Sequence, residues 1–293
     1  WALPPGDIRN CLVALADSED IIQQLMDYGF ESQGQLNGRS FGNILIAALA
    51  GIRGDFYRGV EVVGELLAIR GRVLPSTLDY VTLVGSTVSG ETLIGETRVG
   101  TSGDQLKSLI LIPPHPVAHT EAVRAIKDAD MVVIGPGSLF TSIVPNFLIS
   151  GIPEALSDSS AFKVYVCNVA EEPAQTEGYH VLDHLDVVRH YGGEKAVDIV
   201  EANNNVPNYP TPASLGFIRT NKPWKDDVLL VEADLIDDTD NKSTARHDPA
   251  KLSKTIAEAY RKYRGNRRRL PRIRLEAPFG RSNRARLSGN NKD

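Results

Sequence analysis

From residue 107 onward, short apolar runs rich in β-branched residues alternate with patterns of helical period. Strands are expected at 109–112, 131–134, 163–169 and 196–200, and helices at 120–128, 139–149 and 178–191. This order constrains the fold more than any other feature, because strand-helix-strand repeats close only as a parallel sheet with crossover helices. The chain is therefore read as an α/β protein. At 293 residues and 42% hydrophobic it is long enough to bury a sizeable core.

Upstream of the alternation, helical patterns cover 8–16, a stretch after Ser18 with Ile21, Ile22, Leu25 and Met26 as its buried stripe, then 41–50 and 55–69. Residues 72–99 alternate instead with period two on either side of Ser89-Gly90, which predicts a β-hairpin excursion from the main sheet. The chain starts at Trp1 rather than Met and reaches Pro4-Pro5-Gly6-Asp7 within seven residues, so part of the domain is expected upstream.

No apolar run approaches the ~20 residues that cross a bilayer, and no secretory segment is present. The two cysteines, Cys11 and Cys167, form no CxxC pair, which suits the cytoplasm. Cys11 is expected in a helix core rather than as a nucleophile. Of the 32 Lys+Arg and 37 Asp+Glu, 12 and 2 fall after residue 260, so segment 261–293 carries +10 and the rest −15. Residues 1–260 are read as the domain and 261–293 as a basic, solvated tail. Such a tail either solubilises the chain or holds RNA, anionic lipid or an acidic partner by charge alone.

In parallel sheets, ligands lie where strands end and loops lead into helices. Met131-Val-Val-Ile-Gly135-Pro-Gly137-Ser138-Leu-Phe-Thr141-Ser142 makes that transition within one residue. Gly135 and Gly137 allow a sharp turn and a close backbone approach, while Ser138, Thr141 and Ser142 offer hydroxyls beside free N–H groups that attract an anion. Ser138 serves equally as an ordinary N-cap. The loop matches neither a Walker A motif nor GxGxxG. At the next strand end Asn168 either bonds a base or sugar or caps its own turn. Glu177, His180 and His184 share a helical face but no further ligand completes a zinc shell, so no metal site is assigned.

Six ordered motifs resemble one family: Pro4-Pro-Gly-Asp7-Ile-Arg-Asn10, Gly38-Arg-Ser40-Phe-Gly-Asn43, Val73-Leu-Pro75, Ile134 to Ser142, Tyr165-Val-Cys-Asn168-Val169 and Glu177-Gly-Tyr179 with Asp183-His184. They look like the YvcK proteins, the gluconeogenesis factors of the CofD-like superfamily. The likeness runs from Pro4 to about residue 190, with a weaker echo at Arg246-His247-Asp248. Family members begin with a strand, a GGGTG loop and an Asp-Asp-Gly-Gly-Ser-Ser segment, all of which would precede Trp1.

The resemblance implies a Rossmann-like, doubly wound, mainly parallel sheet and a cytoplasmic protein that binds a UDP-sugar such as UDP-N-acetylglucosamine. It also implies a role in cell shape and wall integrity during gluconeogenic growth. It places Asp7, Asn10, Ser40, Asn43 and Arg246 beside the Gly135–Ser142 loop and Asn168 as ligand-binding residues. It assigns no reaction, no catalytic residue and no cofactor, and it is compatible with a homo-oligomer. The alternatives are a CofD-type 2-phospholactate transferase acting on a nucleotide-activated donor and a nucleic-acid-associated protein working through the tail. For the first, 6% aromatics show no deazaflavin slot; for the second, the basic charge lies outside the folded part.

Overall fold

The computed structural model describes residues 6–17, 20–31, 34, 36–206, 216–220, 224, 227–237, 245–263 and 273–274. Most of the basic tail lies outside the described residues, as do Ser18 and the Pro4-Pro5 turn.

The N-terminal layer is helical: α1 (Gly6–Leu15), α2 (Asp20–Asp27), α3 (Phe41–Arg53) and α4 (Phe56–Leu66). Local chemistry sets the limits of α3 and α4. Ser40 caps α3 by accepting the Asn43 N–H at 3.3 Å, Gly54 ends it at φ 69°, and Asp55 caps α4 by accepting the Arg58 N–H at 2.8 Å. Leu12, Met26, Ile46, Val60, Val63 and Leu67 form the core of this layer. Two expectations fail here. Of the stripe read on α2 only Met26 is buried, while Ile21, Ile22 and Leu25 are exposed, so this eight-residue helix gives the core a single side chain. Cys11 is exposed, and its neighbour Leu12 takes the core position on α1.

A three-stranded antiparallel sheet follows, built from β1 (Thr82–Thr87), β2 (Thr92–Ile94) and β3 (Leu106–Ile112) in the order β2-β1-β3. The hairpin across Ser89-Gly90 is present, with Val84 opposite Ile94. The run at 109–112, expected in the parallel sheet, instead pairs antiparallel with β1 as β3. Its burial alternates, Leu109 and Leu111 in and Ile110 and Ile112 out, as a sheet covered on one face requires. Between β2 and β3, the short helix α5 (Glu96–Gly100) buries Val99.

The parallel sheet contains β4 (Met131–Ile134), β5 (Phe162–Val166), β6 (Ile199–Asn203) and β7 (Leu229–Ala233) in sequential order, with the two-residue β8 (Ile273–Arg274) beside β7. β5, β6 and β7 are buried along their whole length, the mark of strands covered on both faces. Period two sorts their side chains. Tyr165, Cys167, Val200 and Leu230 face α9 (Val181–Gly192), a π-helical turn (Leu139–Ile143) and α7 (Val144–Phe147). Phe162, Val164, Val166, Ile199 and Val231 face α10 (Pro249–Tyr263). Helices α6 (Thr120–Asp128) and α8 (Ile152–Asp158) complete the crossovers around β4 and β5. The fold is thus the expected α/β arrangement, a mainly parallel sheet with helices on both faces, with the antiparallel sheet packed on the same core as α9.

Candidate functional site

β4 ends at Ile134, and the chain turns through Gly135, a cis Gly135–Pro136 bond and Gly137 into the π-helical turn. Gly135 has φ 81°, and a Cβ there would lie 3.0 Å from the Val166 carbonyl and 3.3 Å from Ile143. Glycine is required at this position by backbone conformation and by space. Gly135→Ala is expected to cost about 2 kcal/mol of stability, read as a shift in the urea midpoint at constant slope; an unchanged midpoint would contradict this role.

Gly137 is different. Its φ is unremarkable, and a Cβ would meet only Ser142 at 3.6 Å and Ile143 at 3.9 Å, both ordinary contacts. Its peptide groups are held by Asn168 at the end of β5: the amide nitrogen donates to the Gly137 carbonyl at 3.0 Å, and the amide oxygen accepts the Gly137 N–H at 3.3 Å. Asn168 thus fixes the loop with both ends of its side chain.

Beyond Gly137, Ser138 donates through Oγ to Gln175 Oε1 at 3.4 Å, and Gln175 Nε2 reaches the Gly100 carbonyl of α5 at 3.4 Å. The Ser138 carbonyl accepts the N–H groups of Ser142 and Ile143, at 2.9 and 3.0 Å. The Ser142 carbonyl is taken by Asn146 Nδ2 at 2.7 Å, and Asn146 also accepts from Ser76. The Leu139 N–H donates to the Glu172 carboxylate at 3.2 Å. Among the described residues no partner is found for the N–H groups of Phe140 and Thr141, the orphans of a first helical turn. This helix start therefore already holds one anionic oxygen and keeps further donors in reserve.

The remaining expected residues lie in the helical layer. Asp7 and Asn10 are exposed on the first turns of α1, and Asn10 Oδ1 accepts from Arg9 at 2.8 Å. Ser40 caps α3, while Asn43 Oδ1 is buried without a partner among the described residues. Burial chiefly, and Asp7 second, raise the Glu96 pKa on α5, so the start of α1 lies within electrostatic reach of α5. Gly100 of α5 in turn lies against Thr141, where a Cβ would meet its methyl at 3.6 Å. Arg246 is exposed on the strand-like approach to α10, its carbonyl taking the Asp237 N–H at 2.9 Å. The next residue, His247, donates from Nε2 to the Cys167 carbonyl at 3.3 Å, which brings this segment against the end of β5. Burial lowers the His247 pKa, and that hydrogen bond partly offsets it.

Glu177, His180 and His184 are not assembled as ligands. His180 precedes α9 and its N–H donates to Asp183 at 2.7 Å, while Glu177 accepts the Ala174 N–H at 3.3 Å. His184 is fully buried, with Nδ1 3.1 Å from the Tyr165 hydroxyl. Burial holds its pKa down to about 4, so the ring is neutral at pH 7.

Several groups escaped the sequence reading. Glu172 and Gln175 approach the loop from more than 30 residues downstream; their signal is the polar run Glu171-Glu-Pro-Ala-Gln-Thr-Glu177 directly after a buried strand. Glu201 on β6 is fully buried with neither carboxylate oxygen hydrogen-bonded among the described residues, and burial pushes its pKa up to about 8. Two clefts open beside Gly178 and Tyr179. One, of about 380 Å³, is lined by Gln105, Asp183 and Asp186; the other, of about 210 Å³, by Glu171, His180 and Arg219. The Tyr179 ring, which lines both clefts, meets Phe140 of the π-helical turn edge-on at 6.3 Å; no residue from Gly135 to Ser142 lines either cleft.

Residues 2–238 match the family model described as 2-phospho-L-lactate transferase CofD. A "Gluconeogenesis factor" of Halalkalibacterium halodurans is 42% identical over 67% of this chain and 61% of its own length. Relatives called "Putative gluconeogenesis factor" are 38% identical in Nostoc sp., over 88% of this chain and 58% of the relative, and 36% identical in Aquifex aeolicus, over 86% and 79%. The chain thus spans less than two thirds of two of these three relatives. Among solved structures, protein BH3568 of Bacillus halodurans, also described as a member of the UPF0052 family, superposes with TM-score 0.79 at 34% identity, over 87% of this chain and 83% of that one.

Proposed function

The chain belongs to the CofD family, in the branch of the gluconeogenesis factors, and we propose that it binds a nucleotide sugar through the loop from Gly135 to Ser142. The observation that carries this reading is the start of the π-helical turn. There a carboxylate oxygen of Glu172 accepts the Leu139 N–H, while the Phe140 and Thr141 N–H groups stay open at the carboxyl end of a parallel sheet.

In this reading a diphosphate takes the open N–H groups, and Gly137 lets it approach the backbone. Asn168 and Gln175 keep the loop in place, and the cleft beside Tyr179 receives the rest of the ligand. A UDP-sugar such as UDP-N-acetylglucosamine is the ligand proposed, in a cytoplasmic regulatory protein that supports cell shape and wall synthesis during growth on gluconeogenic carbon. Among the described residues no helix is long and apolar enough to cross a membrane. The family model's own description favours a second reading, transfer of a 2-phospholactyl group, which would use the same diphosphate cradle.

Calorimetry against UDP-N-acetylglucosamine, GDP and a deazaflavin separates the two, since saturable binding of the deazaflavin belongs to the transferase alone. Arg246 supplies a further test, because a guanidinium holds two phosphate oxygens at once. Arg246→Ala is expected to weaken UDP-N-acetylglucosamine roughly tenfold and uridine hardly at all. Equal losses for both would remove Arg246 from the diphosphate.

A further inference from the structure

Glu172 brings a negative charge of the chain's own to the loop from Gly135 to Ser142. Its carboxylate accepts the Leu139 N–H at 3.2 Å, next to the Phe140 and Thr141 N–H groups that find no partner among the described residues. Among those residues no Lys, Arg or His pairs with Glu172, so its charge is met by the loop rather than by a cation.

The turn that carries Glu172 holds together without this contact. The Glu172 N–H donates to Thr176 Oγ1 at 2.8 Å, and its carbonyl accepts the N–H groups of Gln175 and Thr176 at 3.0 and 2.9 Å. Thr176 is fully buried, and the Glu171 N–H ties the near end of the turn to the Gly216 carbonyl at 2.9 Å. The backbone is therefore anchored on both sides of Glu172, while the carboxylate reaches Leu139 through rotatable side-chain bonds. It can swing off the loop into water, at the loss of one hydrogen bond that water replaces, and leave the turn in place.

A phosphate oxygen on the Phe140 or Thr141 N–H would sit one or two residues along the same turn from this carboxylate. Like charges that close repel strongly where water is partly excluded, so the two anions do not share the loop. We propose that Glu172 is an internal plug: it fills the anion position of the loop in the resting protein and swings away when a phosphate group binds. The inference rests on the loop as the diphosphate site proposed above, and adds a threshold to it. A plug lowers the apparent affinity of every anion by one factor, the fraction of molecules in which it is out. An anion with nothing but its phosphate to offer is thereby kept off the loop, whereas a nucleotide sugar, with further contacts, still displaces the carboxylate.

Isothermal titration of UDP-N-acetylglucosamine, inorganic pyrophosphate and uridine into the full chain tests this. Glu172→Gln keeps the shape of the plug without its charge, and Glu172→Ala removes it outright. Both are expected to bind UDP-N-acetylglucosamine and pyrophosphate at least tenfold more tightly than the wild type, and uridine equally well. Glu194→Gln removes the same charge from a side chain that is 85% exposed and should change none of the three affinities. UDP-N-acetylglucosamine binding that is equal or weaker in both Glu172 variants overturns the plug and leaves the nucleotide-sugar site standing. So does an equal gain from Glu194→Gln. Pyrophosphate binding that strengthens in the Glu172 variants, with no UDP-N-acetylglucosamine bound by any protein, supports the plug and removes the nucleotide-sugar reading. Proteins that bind neither ligand overturn both.

Discussion

Glu201→Gln is expected to stabilise the fold at pH 8.5 by about 3 kcal/mol and to have little effect at pH 5. Glu201 sits on β6, fully buried, with neither carboxylate oxygen bonded among the described residues. On the same face of the sheet its neighbours across the ladder are Val166 and Val231, so nothing there replaces water around a charge. Burial alone raises its pKa from 4.5 to about 8. Between those two pH values the folded state keeps a proton that the unfolded chain releases, so stability is fully present below pH 4.5 and falls as the pH rises toward 8. Glutamine has the shape of the protonated acid and no charge to release, so the pH-dependent loss disappears. Urea unfolding of both proteins at pH 5, 7 and 8.5 reads the effect directly. Parallel stability profiles would show that Glu201 ionises in place, with partners that the fold does not display.

The sequence makes this architecture legible where one pattern dominates a segment. The helix expected at 120–128 and the strand at 131–134 appear with those limits, the strand ending at the Gly135 turn and the helix running between the extended residues His119 and Ala129. The run at 109–112 was legible as a strand but not as to its sheet, since partner choice depends on β1, more than 20 residues upstream. Helix α8 is not legible because its seven residues follow Gly151 and carry Pro153 as the second residue, a pattern that reads as a turn. Strand β7 lies in the short apolar run Val228 to Val231, which has no alternation to mark it as a strand.

At the site, the need for glycine at 135 is local, fixed by a positive φ, and shows in the sequence. The Asn168 clamp on Gly137 and the Glu172 carboxylate on Leu139 are contacts over 31 and 33 residues, which no local pattern announces. For the same reason the four helical-layer residues could be named only through the family resemblance. Only Asp7 of the four is related to α5, through the charge of Glu96, and α5 is a helix of five residues without a strong periodic signal.

Gly137→Val is expected to lower affinity for UDP-N-acetylglucosamine at least 100-fold, about 2.7 kcal/mol, with the fold retained. The two effects separate because Gly137 and Gly135 differ. A Cβ at 137 meets ordinary contacts and a backbone conformation open to any residue, whereas one at 135 meets the Val166 carbonyl and a positive φ. The valine methyls would stand over the N–H groups that follow, where the diphosphate is proposed to approach. Asn168 still holds both peptide groups of residue 137, so the loop itself keeps its course.

Isothermal titration of UDP-N-acetylglucosamine into the wild type and into Gly137→Val, paired with their urea midpoints, tests the nucleotide-sugar site most directly. Saturable binding by the wild type, a loss of at least 100-fold in the variant and midpoints that agree within about 1 kcal/mol are the result predicted. Equal affinity in the two folded proteins, or a wild type that binds no UDP-sugar, would contradict it.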